Sequence, residues 1–248
     1  MPKIKRRIFS GSVCEQEVFA VPERVRNLKL AEPRLRFKDE AERQQHREGI
    51  ARRHHARQFN ANFSPSSLYS TLTLDNEHEV HTFEEARRIR SLYRRRLQSA
   101  VPGACFYIYM GRGKGTQRIH FHMVSNDLPE DVIKEKWQMG EVTRIEPLRK
   151  NNYYGGINYG QDYTGLANYL FDHWTPEQGG HHYSKTRNSA QPESEDPTIA
   201  KRTYSLTRPP RAPKGYALVE RKENQFGFLY FKYVKLPEKP NRPPAGMK

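Results

Sequence analysis

The sequence predicts an α+β fold, a largely antiparallel sheet with helices packed on one face. Two observations carry this. From residue 64 onward the hydrophobic pattern alternates between strand-like and helix-like spacing in the order β-α-β-β-α-β. Gly, Pro, Asn and Asp clusters separate these segments, stopping one element and starting the next. At 248 residues and 35% hydrophobic content, the chain is long enough to bury a core against such a sheet.

The elements follow in order. Leu68 to Leu74 alternates apolar with small polar residues and is the first strand. Phe83 to Ala100 places Phe83, Ala86, Ile89 and Leu97 at helical spacing. Thr82 and Glu85 form a capping box before it, and Pro102-Gly103 stops it. Cys105 to Met110 is the second strand, and the glycine-rich turn Gly111 to Gly115 leads into the third, Arg118 to Ser125. Pro129 to Met139 is a helix with Asp127 as its cap, and Glu141 to Leu148 alternates as the fourth strand. A last helix runs from Tyr163 to Trp174, capped by Asp162.

Four regions result. Residues 1–63 form a basic arm, partly helical over Asp39 to Phe59, and residues 64–178 form the core. Residues 179–213 lack periodicity and are expected to be a flexible linker. Residues 214–248 form a hairpin, with arms Tyr216 to Val219 and Gly227 to Val234, followed by a basic, proline-rich tail.

Charge narrows the function. Forty-three Lys and Arg against 28 Asp and Glu leave a net charge of +15, and aromatics make up 11% of the chain. Surplus cations with many stacking-capable rings point to nucleic acid as partner. Arg52, Arg53 and Arg57 of the first helical stretch are placed to follow a phosphate backbone. Tyr153, Tyr154 and Tyr159, set among glycines, suit stacking on unpaired bases. Two cysteines exclude a disulfide framework and a four-cysteine zinc site. The longest apolar runs, such as Phe106 to Met110, fall far short of the roughly 20 residues that span a bilayer, so a cytoplasmic protein without membrane contact is expected.

The segment Arg118-Ile119-His120-Phe121-His122-Met123 carries the chemistry. Strand alternation puts His120 and His122 on one face and Ile119, Phe121 and Met123 on the other. Two imidazoles about 7 Å apart along a strand converge on one small cation held on the open face of the sheet, given a third ligand from nearby. In the last helix Tyr163, Leu166, Ala167, Leu170 and Trp174 share the packing stripe, which makes Tyr163 a core residue. Tyr169 lies at the edge of that stripe with His173 one turn on, where its hydroxyl is a candidate nucleophile. Arg112, Lys114 and Arg118, around the glycine-rich turn, are candidate DNA-phosphate contacts. That turn is not a nucleotide-binding phosphate loop, because it lacks the required spacing and no helix follows it.

Taken together, the strand Leu68 to Leu74, then His120-Phe121-His122, then Tyr169 on a helix resemble the HUH endonuclease superfamily, and most of all its rolling-circle replication initiators. The likeness covers about residues 64 to 176. It implies an HUH-type core resembling the β-α-β-β-α-β order, and a nicking and joining enzyme for single-stranded origin DNA. His120 and His122 would hold Mg²⁺ or Mn²⁺, and Tyr169 would become linked to the 5′ phosphate, leaving a 3′ hydroxyl as primer. A host helicase and polymerase would be partners.

The sequence departs from the family at three places. His173 stands where many initiators have a lysine. Gly111 stands near the place of an acidic third ligand, which leaves Gln117, Glu141 and Glu77 as candidates. Tyr163 is the other tyrosine on the last helix, on a different face from Tyr169. A relaxase or single-strand transposase would use the same chemistry and is ranked lower, since relaxases show three clustered histidines. A basic nucleic-acid-binding protein without catalysis is the reading from another class.

Overall fold

The computed structural model describes residues 2–21, 28, 37–113, 115, 117–154 and 156–236. Among these, the chain opens with β1 (Lys3–Ser10), β2 (Val13–Ala20) and α1 (Glu40–Asn62). It continues with β3 (Leu68–Thr73), α2 (Phe83–Ala100), β4 (Cys105–Arg112), β5 (Ile119–Asn126), α3 (Glu130–Lys136) and β6 (Val142–Pro147). A small hairpin, β7 (Tyr153–Tyr154) with β8 (Ile157–Asn158), precedes α4 (Thr164–Phe171). The remainder holds β9 (Tyr183–Lys185), β10 (Glu193–Ser194), β11 (Thr198–Ile199), β12 (Tyr216–Glu223) and β13 (Leu229–Lys235). The fold is α+β with two main antiparallel sheets.

The β-α-β-β-α-β run from β3 to β6 builds the first sheet, in the order β6-β3-β5-β4-β9. Local signals set its helices. Asp39 caps α1 by accepting from the Glu42 N–H at 2.8 Å, and Thr82 with Glu85 closes the capping box of α2. Asp127 does not cap α3; Pro129 holds that position without a side-chain bond. α4 is shorter than its apolar stripe suggests, with Tyr163 at the N-cap and Asp162 accepting from the Thr164 N–H at 2.9 Å.

The expectation of helices on one face needs correction. Leu72, Phe106, Ile108, Met110, Phe121 and Met123 pack with α2 and α3. The opposite face presents Tyr69, Tyr107, Tyr109 and Val124, which pack with Ala56 and Phe59 of α1 and Ala167 and Leu170 of α4. The residues of β4 account for it. Phe106-Tyr107-Ile108-Tyr109-Met110 is apolar or aromatic on both faces, the pattern of a strand covered twice.

Residues 1–63 are not simply an arm, nor residues 179–213 a bare linker. β1 and β2 pair with each other, and β13 pairs with β2, giving a second sheet in the order β10-β1-β2-β13-β12, with β11 also on β1. The charges that hide the strand pattern of β1 and β2 are paired across strands. Arg6 meets Glu17 at 2.7 Å, and Arg57 of α1 reaches both Glu15 and Glu17 at 2.5 Å. Burial opposes the Glu17 charge, but the Arg57 and Arg6 guanidinia outweigh it and hold the carboxyl below its ordinary range. Removing one partner leaves a buried charge unpaired, so Arg57→Ala is expected to cost about 3–5 kcal/mol in urea unfolding. Within residues 179–213, β10 and β11 edge this sheet and β9 edges the first. The tail beyond residue 236 lies outside the described residues.

Between α1 and the first sheet, His55 is buried, with Nε2 2.8 Å from the Tyr109 hydroxyl. Burial first, then the neighbouring His182 and His54, pushes its pKa from 6.5 down to about 3. Below pH 6.5 the unfolded chain takes up a proton that the folded chain refuses. Stability from this group is therefore complete above pH 6.5 and drains as the pH falls toward 3. His55→Gln is expected to flatten that decline, read as a shallower acid dependence of the urea midpoint just below pH 6.5, before carboxylates titrate.

Candidate metal centre and nucleophile

β5 is the middle strand of its sheet, so its neighbours set the surroundings of the two histidines. His120 lies opposite Thr73 of β3 and Gly111 of β4; His122 lies opposite Thr71 and Tyr109. The face is not open as the sequence suggested. α1 and α4 cover much of it, and His122 is only 5% exposed. The His120 and His122 Nε2 atoms stand 3.1 Å apart.

A third histidine joins them. The ligand atoms of His120, His122 and His173 all lie within 4.8 Å of one another. His173 follows α4, and its Nδ1–H donates to the Tyr169 carbonyl at 2.8 Å, which leaves the Nε2 lone pair for a cation. Neither Glu77 nor Glu141 belongs to this group. Gln117 sits in the turn before β5 with φ +56°, its carbonyl receiving Arg112 Nη1 at 3.0 Å. The third imidazole comes from the turn after α4 and not from the sheet, and Gly111 makes room for it. A Cβ on Gly111 would meet His173 Cδ2 at 2.8 Å and the His120 ring at 3.5 Å.

Supporting bonds fix the rings. The Tyr69 hydroxyl lies 2.7 Å from His122 Nδ1, with Thr71 Oγ1 at 3.4 Å. His120 is hydrogen-bonded to the Arg118 backbone. Burial, with the adjacent His120 and His173, lowers the His122 pKa to about 3, and burial also lowers that of His120. Neutral imidazoles with Nε2 atoms turned inward are the form that binds a cation. Gly111→Ala is expected to displace His173 and weaken Mn²⁺ binding by roughly tenfold, measured by titration calorimetry, with the melting temperature little changed.

The tyrosines separate as their helix faces predict. The Tyr169 ring is 54% exposed, its centroid 4.4 Å from His173 and 6.3 Å from His122. Tyr163 is 2% exposed and donates its hydroxyl to the Arg149 carbonyl at 3.1 Å; burial pushes its pKa up to about 12. The structure thus brings His120, His122 and Tyr169 together and leaves Tyr163 in the core.

The candidate DNA contacts stand apart from this group. Arg112 donates to the His81 and Gln117 carbonyls and lies over the Phe83 ring. Arg118 bonds the Leu74 carbonyl and Asn76, and pairs with Glu79 at 3.2 Å. Both guanidinia brace the β4–β5 turn against the loop after β3, and Lys114 lies outside the described residues. Sequence reasoning missed Tyr69 and the place of His173 in this cluster. The signal for His173 was its place one turn after Tyr169; Tyr69 required the β3–β5 register.

Comparison with family models, curated proteins and solved structures finds no match. Among the described residues no helix is long and apolar enough to cross a membrane.

Proposed function

We propose that this protein nicks and rejoins single-stranded DNA through a covalent phosphotyrosine intermediate, as the initiator of rolling-circle replication at an origin. The observation that carries this reading is the exposed Tyr169 phenol beside three converging imidazoles. Tyr169 Oη loses its proton as it bonds to the scissile phosphorus. The P–O3′ bond breaks and the leaving 3′ oxygen takes up a proton, giving a 5′-phosphotyrosine and a free 3′ hydroxyl. The reverse attack restores the phosphodiester, so joining needs no nucleotide cofactor. A host polymerase would extend the 3′ end and a host helicase would open the duplex.

The residues fit a divalent metal. Three imidazole nitrogens within 4.8 Å of one another, those of His122 and His173 backed by hydrogen bonds at the other ring nitrogen, offer a ligand set. The ion, when bound, polarises the scissile phosphate. An all-imidazole set favours Mn²⁺ over Mg²⁺, which prefers oxygen ligands. His120, His122 and His173 would hold the ion, and the Tyr69 hydroxyl keeps the His122 ring in place.

A second reading gains from one observation. The relaxase or transposase alternative ranked lower for want of three clustered histidines, and His120, His122 and His173 form such a cluster in space. The chemistry is common to both. The deciding experiment incubates the protein and Mn²⁺ with single-stranded oligonucleotides tiled across the DNA that encodes it. A denaturing gel then reads the covalent adduct. No adduct on any strand removes the enzyme and leaves a basic nucleic-acid-binding protein.

A further inference from the structure

A cleft of about 850 Å³ opens on the other flank of α4, walled by α1, the segment between β6 and α4, and the β12–β13 hairpin. We propose that this cleft binds the nucleotides flanking the scissile bond, single-stranded DNA lying with bases inward and phosphates along the rim. The proposal rests on the nicking reading for the strand's course from Tyr169.

Three features argue for this occupant. The rim carries Arg53 and Arg149, which have no carboxylate partner among the described residues, whereas Arg52 beside them is bound to Asp172 at 2.8 Å. Uncompensated guanidinia at a cleft mouth suit phosphates. The wall supplies rings for stacking. Tyr153 is 68% exposed, and Tyr159 and Tyr230 line the interior. The floor is different in kind. Asp162 holds Lys232 at 2.8 Å, and Glu15 accepts from the Tyr230 hydroxyl at 2.9 Å. Asp162, Glu15 and Glu220 are paired with Lys232, Arg57 and Lys222, and Glu223 stands on the hairpin wall without an ion pair among the described residues, so the floor presents mixed donors and acceptors, which match base edges better than phosphate oxygens.

The cleft also has a route to the nucleophile. At about 100° per residue, Thr164 and Asn168 face the cleft, Tyr169 and His173 face the metal site, and Gly165 lies between them on the outer crest. A Cβ on Gly165 would meet nothing within 4 Å. A strand held at Tyr169 crosses a helix about 10–12 Å wide, side chains included, at the one crest position without a side chain.

The test uses the full chain with Tyr169→Phe and a random-sequence single-stranded pool carrying iododeoxyuridine. Light-induced crosslinks are mapped by mass spectrometry and affinity is followed against salt. Crosslinks are expected on Tyr153, Tyr159 or Tyr230. Tyr153→Ala should weaken binding roughly tenfold. Arg53→Gln with Arg149→Gln should lower the slope of log K against log salt by about 1.4. Gly165→Glu, a helix-compatible change on an open crest, should weaken binding without lowering the melting temperature. Crosslinks confined to other surfaces, unchanged affinity in these variants, or tighter binding of duplex than of single strands each overturn the proposal. An adduct from the wild type without cleft crosslinks removes the cleft alone. Cleft crosslinks without any adduct keep the cleft as a strand-binding site and remove the nicking.

Discussion

Tyr169→Phe is expected to abolish the covalent protein–DNA adduct, a loss of at least about a thousandfold, while Tyr163→Phe keeps it. The two phenols differ in access, not in chemistry. Tyr169 is half exposed and packs its ring edge against His173, so a phosphate at the imidazole cluster is within its neighbourhood. Tyr163 spends its hydroxyl on the Arg149 carbonyl behind α4, and burial holds that phenol protonated. To reach DNA it would have to leave the packing it shares with Phe59. Phenylalanine at 163 keeps that packing and loses one hydrogen bond, a cost of about 1 kcal/mol in unfolding that leaves adduct yield intact. An adduct surviving in Tyr169→Phe and lost in Tyr163→Phe would reverse the assignment. The readout is a denaturing gel with labelled single strand and Mn²⁺.

What could be read from the sequence divides along one physical line. Features set by a few neighbouring residues were legible. The capping box of Thr82 and Glu85, the shared face of His120 and His122, and the separate faces of Tyr163 and Tyr169 all depend on local spacing. Features set by pairing across the chain were not. β1 and β2 read as charge-dense because Glu15 and Glu17 are neutralised by Arg57, some 40 residues downstream, and by Arg6 on the adjacent strand. The double covering of the first sheet follows from tyrosines in β4 that hydrophobicity alone does not rank as core. Arg112 and Arg118, phosphate candidates by charge, are engaged at the surface because the loop after β3 offers carbonyls and Glu79 at the right reach. His173 was noticed as the neighbour of Tyr169 one turn on and as a departure from the family pattern. Its place in the cluster needs the approach of α4 to the sheet, which the missing side chain of Gly111 permits.

His173→Ala should weaken Mn²⁺ binding by more than about 100-fold, beyond the 10–100-fold seen when only outer supports of a metal site are lost. Glu77→Ala and Glu141→Ala should leave it unchanged, because neither carboxylate reaches the cluster. The same variant tests how the two halves of the site are coupled. His173 Nδ1–H donates to the Tyr169 carbonyl, so the proposed ligand and the proposed nucleophile are tied by a bond within a single turn. A cation bound by all three imidazoles would tether His173 to β5 and, through the bond to the Tyr169 carbonyl, the turn that carries the Tyr169 phenol. If the histidine acts only as a ligand, saturating Mn²⁺ will restore the adduct rate of His173→Ala in full. If it also positions the helix end, the rate stays depressed at saturation, and the deficit appears in the maximal rate and not in the metal concentration at half effect. The geometry favours the second outcome, since nothing else within the described residues ties Tyr169 to the β5 histidines except ring contacts.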